Sequence, residues 1–225
     1  MDIIRFLLIF VLQLSAVGIM ITLLIKYTKM KGKSIFFKLS LTIYSIAGLL
    51  NVIYFFIQNE LVLSILYSLT ISCTLLAPLA IFFLNLNFSR LLNQKKQLLL
   101  FGITAIILII ANYFATIFYI NFPGGKPYWS LIYGMIIIFF YSSLIVLNGF
   151  YLYKIYKKLP RDQQKLRWKY FSTGIIVLSL VVLLSPISNM MPPDSILRAI
   201  GLLFILAPIS VCFIYYSMVH NFEGT

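Results

Sequence analysis

An all-α integral membrane fold, a bundle of seven transmembrane helices, is what this sequence predicts, and three observations carry the expectation. The 225-residue chain is 62% hydrophobic and only 10% charged, whereas soluble domains run at about 45–50% apolar and about 25% charged. Its apolar residues fall into seven runs, each long enough to cross about 30 Å of hydrocarbon at about 1.5 Å per helical residue. Its cations are shared very unequally between the connectors. The apolar runs are continuous rather than alternating, which excludes the strands of a membrane barrel. With nearly every residue used in a span, residues 1–225 are expected to form a single membrane domain.

The first run is Ile3–Ile25. Arg5 and the small residues Ala16-Val17-Gly18 resemble a cleavable leader, but the run continues unbroken to Ile25, which is span length. Lys26, Lys29, Lys31, Lys33 and Lys38 surround the entry to the second run, Ile35–Ile57. Gln58-Asn59-Glu60 leads to the third, Leu61–Phe88, over so few residues that the two helices must pack as an antiparallel hairpin. Arg90, Lys95 and Lys96 precede the fourth, Leu98–Ile120. The connector Asn121–Pro127, NFPGGKP, is a turn sequence. It is followed by Tyr128-Trp129, an aromatic pair typical of a membrane interface, which opens the fifth run, Tyr128–Tyr153.

The stretch Tyr151–Tyr170 gathers Lys154, Lys157, Lys158, Arg161, Lys165, Arg167 and Lys169. Pro160 ends the fifth helix there. Asp162 suits the first turn of a helix that begins before the membrane and runs through Trp168 into the sixth span, Tyr170–Asn189. Met190–Asp194 makes a second tight connection into the seventh, Ile196–Val219. One set of connectors holds fifteen Lys and Arg, and the other holds only Arg5, Lys126 and Arg198. Positively charged connectors stay on the cytoplasmic side, so the N-terminus is expected outside and the C-terminus in the cytoplasm of a multi-pass protein of the cell membrane.

A net charge of +13 suggests nucleic acid, but the cations are confined to short connectors and form no soluble face that tracks a phosphate backbone. Their expected partners are the anionic heads of the lipid bilayer and, for the Lys154–Lys169 cluster, a cytoplasmic effector protein. Asp, Glu, Lys and His are absent from the centres of the spans, and His220 lies beyond the last. Haem ligation, zinc hydrolysis and Ser-His-Asp chemistry need groups that the spans lack, and Ile196–Val219 has no Lys for a retinal Schiff base. Cys73 and Cys212 each stand in an apolar run without a second ligand nearby in sequence. No catalytic residue, metal site or cofactor is therefore expected.

The polar groups inside the spans are neutral, and in bilayers such groups commonly bridge helices. By depth, Asn51, Tyr54, Tyr67, Asn112, Tyr133 and Ser185 fall in the outer half, where an apolar pocket with a few polar groups accepts a small or lipid-like neutral ligand. Pro78 and Pro208 are expected kinks, each freeing a carbonyl. Leu76-Ala77-Pro78 also aligns with Leu206-Ala207-Pro208, an offset that lays the first three helices on the last three. Two parallel three-helix units joined by a fourth helix make up some small transporters.

Three runs resemble the seven-helix membrane region at the N-terminus of bacterial and archaeal sensor histidine kinases. They are LLAPLAIFFLNLNFSR in the third helix, KLRWKYFSTG entering the sixth and LAPISVCFIYYSMVHN in the seventh. The resemblance implies a sensor whose last helix hands a conformational change to a cytoplasmic effector. Only six residues follow Val219 here, so the signal is expected to pass to a separate partner through the basic fifth–sixth hairpin. The leading expectation is a receptor-like sensor without enzymatic activity. A transporter of neutral solutes or lipids and a structural subunit of a membrane complex are the alternatives.

Overall fold

A computed structural model describes residues 3–28, 34–53, 56–57, 59–88, 93–122, 127–192 and 206–219. They form seven helices and one short β-hairpin, in the order α1 (Ile3–Thr28), α2 (Ile35–Ile53), α3 (Glu60–Phe88), α4 (Gln94–Tyr119), β1 (Ile120–Asn121), β2 (Tyr128–Trp129), α5 (Leu131–Lys158), α6 (Asp162–Met190) and α7 (Leu206–Val219). Helices α2 to α6 are each long and apolar enough to cross a membrane, and apolar helix also runs through Gln13–Thr28 and Leu206–Met218. This is the build of a multi-pass membrane protein.

The outcome for the individual elements follows local chemistry. Helix α6 begins at Asp162, eight residues ahead of the apolar run, as the acid in its first turn favours. Helix α2 ends at Ile53, short of the expected Ile57, and Phe56 already lies outside it. The fourth and fifth runs were expected to include Ile120 and Tyr128-Trp129, yet these residues form the hairpin instead, with Ile120 paired to Trp129 and Asn121 to Tyr128. Pairing starts here because the chain must reverse across only a few residues, and extended backbone then satisfies the groups that the helix ends release. The expected seventh span lies outside the described residues before Leu206.

Six helices close a ring: α1 packs on α2, α2 on α3, α3 on α5, α5 on α6, α6 on α7 and α7 back on α1. Contact is most extensive between α2 and α3 and between α6 and α7, the pairs joined by the shortest expected connections. Helix α4 stands outside the ring, against α3. Of the membrane-length stretch of α3, 78% is buried, against 11% for α4. Composition explains the difference. In lipid, apolar surface gains little by being covered, so helices meet where small residues allow close approach and polar groups find partners. Helix α3 buries Ser68, Thr70, Ser72, Ala77, Ala80 and Asn85, whereas α4 exposes Ile103, Ile106, Ile107, Ile110 and Phe114, a surface suited to acyl chains.

Close approach between α6 and α7 depends on Gly174, where a Cβ would stand 2.7 Å from the Ser210 carbonyl oxygen and 2.7 Å from Ile214. At the end of the bundle that carries the α5–α6 connection, here termed the basic end, aromatic rings link most of the helices. Tyr27 of α1 meets Phe37 of α2 at 4.7 Å between ring centres, and Phe37 meets Phe171 of α6 at 5.8 Å. Phe36, Phe83 and Phe101 join α2, α3 and α4 at 5.7–6.1 Å.

Candidate functional site

The opposite end of the bundle holds a cluster of neutral hydrogen-bonding side chains. Its position is set by the hairpin. Ser130 caps α5, its Oγ accepting from the Tyr133 backbone N–H at 3.3 Å, and the Ser130 N–H donates to the Tyr119 carbonyl at 2.8 Å, tying the end of α4 to the start of α5. The paired residues Ile120 and Trp129 share the inner face of the hairpin, and both are buried. Trp129 therefore points into the bundle, whereas its sequence position suggested an interfacial ring.

Once inside, the Trp129 indole Nε1 donates to the Tyr67 hydroxyl of α3 at 3.0 Å. Asn189 of α6 donates to the same hydroxyl at 2.9 Å and to Ser185 Oγ, one helical turn away, at 3.4 Å. The Tyr133 hydroxyl of α5 donates to Asn112 Oδ1 of α4 at 3.1 Å, and Asn112 Nδ2 donates to Ser72 Oγ of α3 at 3.3 Å. Trp129 joins the two halves, since its ring lies 5.0 Å from that of Tyr133 and 6.4 Å from that of Tyr67. No charged side chain takes part among the described residues. Such a cluster can exchange neutral hydrogen bonds and stack an apolar or aromatic group.

Of the six residues expected to line a ligand pocket, Tyr67, Asn112, Tyr133 and Ser185 are brought together here. Tyr67, Asn112 and Tyr133 are buried and already bonded, so they form a filled cluster rather than an open cleft. Asn51 is half-buried on α2, and no hydrogen bond joins it to the cluster among the described residues. Tyr54 lies outside the described residues. Sequence reading missed Trp129, Asn189 and Ser72. For Asn189 a signal existed, because Ser185 and Asn189 are four apart and must share a helix face.

A second polar cluster surrounds Pro78, which lies inside α3. Proline has no N–H, so the Thr74 carbonyl four residues earlier loses its helical partner. The Tyr141 hydroxyl of α5 donates to that carbonyl instead. Ser40 of α2 donates to the Ala77 carbonyl at 3.1 Å, and Asn148 of α5 donates to the Pro78 carbonyl at 3.2 Å. Asn85 Nδ2 in turn donates to Asn148 Oδ1 at 2.9 Å. The proline-broken turn is thus gripped from two sides. Pro208 is the third residue of the described part of α7, and the residues ahead of Leu206 lie outside the described residues. Pro186 is a further proline inside a helix, α6.

At the basic end, the connection between α5 and α6 is reduced to Leu159-Pro160-Arg161. Lys154, Lys157 and Lys158 lie in the last turns of α5, and Lys165, Arg167 and Lys169 lie in the first turns of α6. Lys154, Lys157, Lys158, Arg161 and Lys169 are exposed, and Lys165 and Arg167 are half-buried. Trp168 Nε1 donates to the Leu152 carbonyl at 2.7 Å, fixing the two helices to each other where the cations begin. The Lys157 ammonium sits 4.8 Å from the Tyr153 ring centre. The ion pair Lys165–Asp162, at 3.5 Å with the Asp162 side chain fully exposed, adds little stability.

Comparison with known proteins finds no match for this chain among family models, curated proteins or solved structures.

Proposed function

We propose that this chain is a seven-span receptor-like sensor of the cell membrane, with its N-terminus outside and its basic end in the cytoplasm. It takes a small or lipid-like neutral ligand at the hairpin-end cluster and passes the change to a separate cytoplasmic partner. The observation that carries this reading is continuity. Tyr133 in the cluster and Lys157 at the basic end belong to one helix, α5, and Asn189 and Lys165 belong to another, α6. Helices of 28 and 29 residues are about 42–44 Å long, against about 30 Å of hydrocarbon, so they reach well beyond the lipid core.

A ligand with one donor and one acceptor competes for the hydrogen bonds that Tyr67 receives from Trp129 and Asn189. Each such bond is worth about 0.5–2 kcal/mol in a bilayer, and about 1.4 kcal/mol of differential binding moves a two-state population tenfold. Releasing α6 from α3 in this way tilts a helix whose other end carries cations. The likeness of three runs to the sensor region of histidine kinases supports the same reading. A thermal-shift screen of neutral amphiphiles on the purified chain tests it. Compounds that raise the midpoint of the wild type and not of Tyr67→Phe fit the proposal, and stabilisation that ignores Tyr67 refutes it.

One feature favours the transporter reading. Exchanging α1, α2 and α3 with α5, α6 and α7 leaves the ring of contacts unchanged, with α4 outside, as two three-helix units joined by a linking helix require. Solute uptake into proteoliposomes distinguishes it from a receptor.

A further inference from the structure

Helix α5 turns one continuous stripe away from the bundle. Ile132, Ile136, Phe139, Val146, Phe150 and Tyr153 follow one another at helical spacings, and each is 58–77% exposed. Ser143 stands in the same stripe, and its hydroxyl donates to the Phe139 carbonyl at 2.9 Å, so its proton is satisfied within the helix. From Ile132 to Tyr153 the stripe measures about 32 Å at about 1.5 Å per residue, which matches about 30 Å of hydrocarbon. Its edge at the basic end therefore falls at Tyr153, an exposed amphipathic ring of the kind that sits at headgroup level.

Past that edge the stripe continues as Lys154 and Lys157, both exposed. Lys157 lies one turn beyond Tyr153, yet its ammonium is drawn back to 4.8 Å from the Tyr153 ring centre. The charge thus returns to the level of the membrane edge instead of extending into solvent. No acid lies in the stripe, and Asp162, the acid nearest in sequence, is paired with Lys165 at 3.5 Å.

We propose that Tyr153, Lys154 and Lys157 form a docking site for the headgroup of an anionic phospholipid, its phosphate held by the two ammoniums and an acyl chain lying along Val146 and Phe150. The charges are complementary, and cations immediately beside a membrane span are placed to meet lipid heads. A protein arriving from solution would have to strip lipid from Phe150 and Tyr153 to use this face, whereas a lipid reaches it without leaving the bilayer. Lys158 and Arg161 lie farther along the connection and remain for the cytoplasmic partner proposed above. The lipid site itself depends neither on that partner nor on any ligand at the hairpin end.

The full chain in nanodiscs of phosphatidylcholine, with and without phosphatidylglycerol, supplies the test. A water-soluble amine-acylating reagent is applied, and modification is read lysine by lysine by mass spectrometry. Phosphatidylglycerol should slow modification of Lys154 and Lys157 several-fold more than that of Lys158 and Lys165. Equal slowing at all four means diffuse attraction to a charged surface and overturns the site. No slowing at Lys154 and Lys157 leaves both amines to a protein partner and overturns it as well. Lys154→Gln combined with Lys157→Gln gives a second readout, the phosphatidylglycerol retained in native mass spectrometry. Retention should weaken about fivefold for each lysine removed, and Arg161→Gln should leave it unchanged. A loss of the same size from Arg161→Gln also overturns the site.

Discussion

The hydroxyl of Tyr141 on α5 donates to the carbonyl of Thr74 on α3, the carbonyl that Pro78 leaves without its helical N–H. A side chain from one helix thus replaces a backbone donor missing from another. Tyr141→Phe is expected to destabilise the protein by about 1–3 kcal/mol, the cost of a buried carbonyl losing its partner. Pro78→Ala restores the N–H, so Tyr141→Phe should cost clearly less in that background. Unfolding free energies of the four proteins in a double-mutant cycle check this, and a coupling energy near zero would show that the two groups do not serve one carbonyl.

Asn148 bridges Asn85 and the Pro78 carbonyl, at 2.9 and 3.2 Å, and is 2% exposed. Asn148→Leu keeps the volume and removes both bonds. A loss of about 1–2 kcal/mol is expected from the interhelical bonds alone, read as a lower thermal midpoint. An unchanged midpoint would mean that the Asn148 bonds contribute nothing to the joining of α3 and α5.

Gly174 and Gly102 make a matched pair. A Cβ at Gly174 meets the backbone of α7 at 2.7 Å, whereas a Cβ at Gly102 meets nothing within 4 Å. Gly174→Ala should push α6 from α7 and destabilise by about 1–3 kcal/mol, the usual cost of overpacking. Gly102→Ala should be neutral or stabilising by up to about 1 kcal/mol, through better helix propensity. Chemical denaturation of both variants, compared with the wild type, decides it, and equal effects would contradict the close packing of α6 on α7.

Sidedness is open to direct labelling. With Cys73 and Cys212 replaced by Ala, a cysteine at Lys157 should react with a membrane-impermeant maleimide only after cells are opened, whereas a cysteine at the exposed Asn121 should react in intact cells. The reverse pattern would invert the proposed direction of signalling.

The hairpin-end cluster should respond to one atom. Tyr67→Phe removes the acceptor shared by Trp129 and Asn189 and should speed amide exchange of Ile120 and Trp129, whose strand pairing relies on the anchored indole. Exchange at Leu152, by the far end of α5, should stay as it was.

Much of the fold was legible along the chain, because hydrocarbon thickness and the absence of solvent leave few options for a continuous apolar run. The start of α6 at Asp162 was readable from Pro160 and an acid in a first turn. The end of α2 and the inward Trp129 were not, because both depend on how a short connection closes. Among the candidate site residues, Tyr67, Asn112, Tyr133 and Ser185 meet in one cluster, and the depth at which each was expected is a matter of residue count. Asn51, half-buried on α2, has no hydrogen bond to them among the described residues.

What the sequence determined by itself was therefore the set of helices, their order and the level of each polar group, all of which follow from local hydropathy and a fixed rise per residue. Only the tertiary structure decided that Tyr67 meets Asn189, 122 positions away, that Tyr141 serves the carbonyl freed by Pro78, and that α4 stands outside the ring. The physical reason is rotational. In lipid every face of a helix is allowed to be apolar, so the sequence carries only a weak record of which way each helix turns, and that choice is made by the partners that small residues and hydrogen-bonding side chains find across the interface.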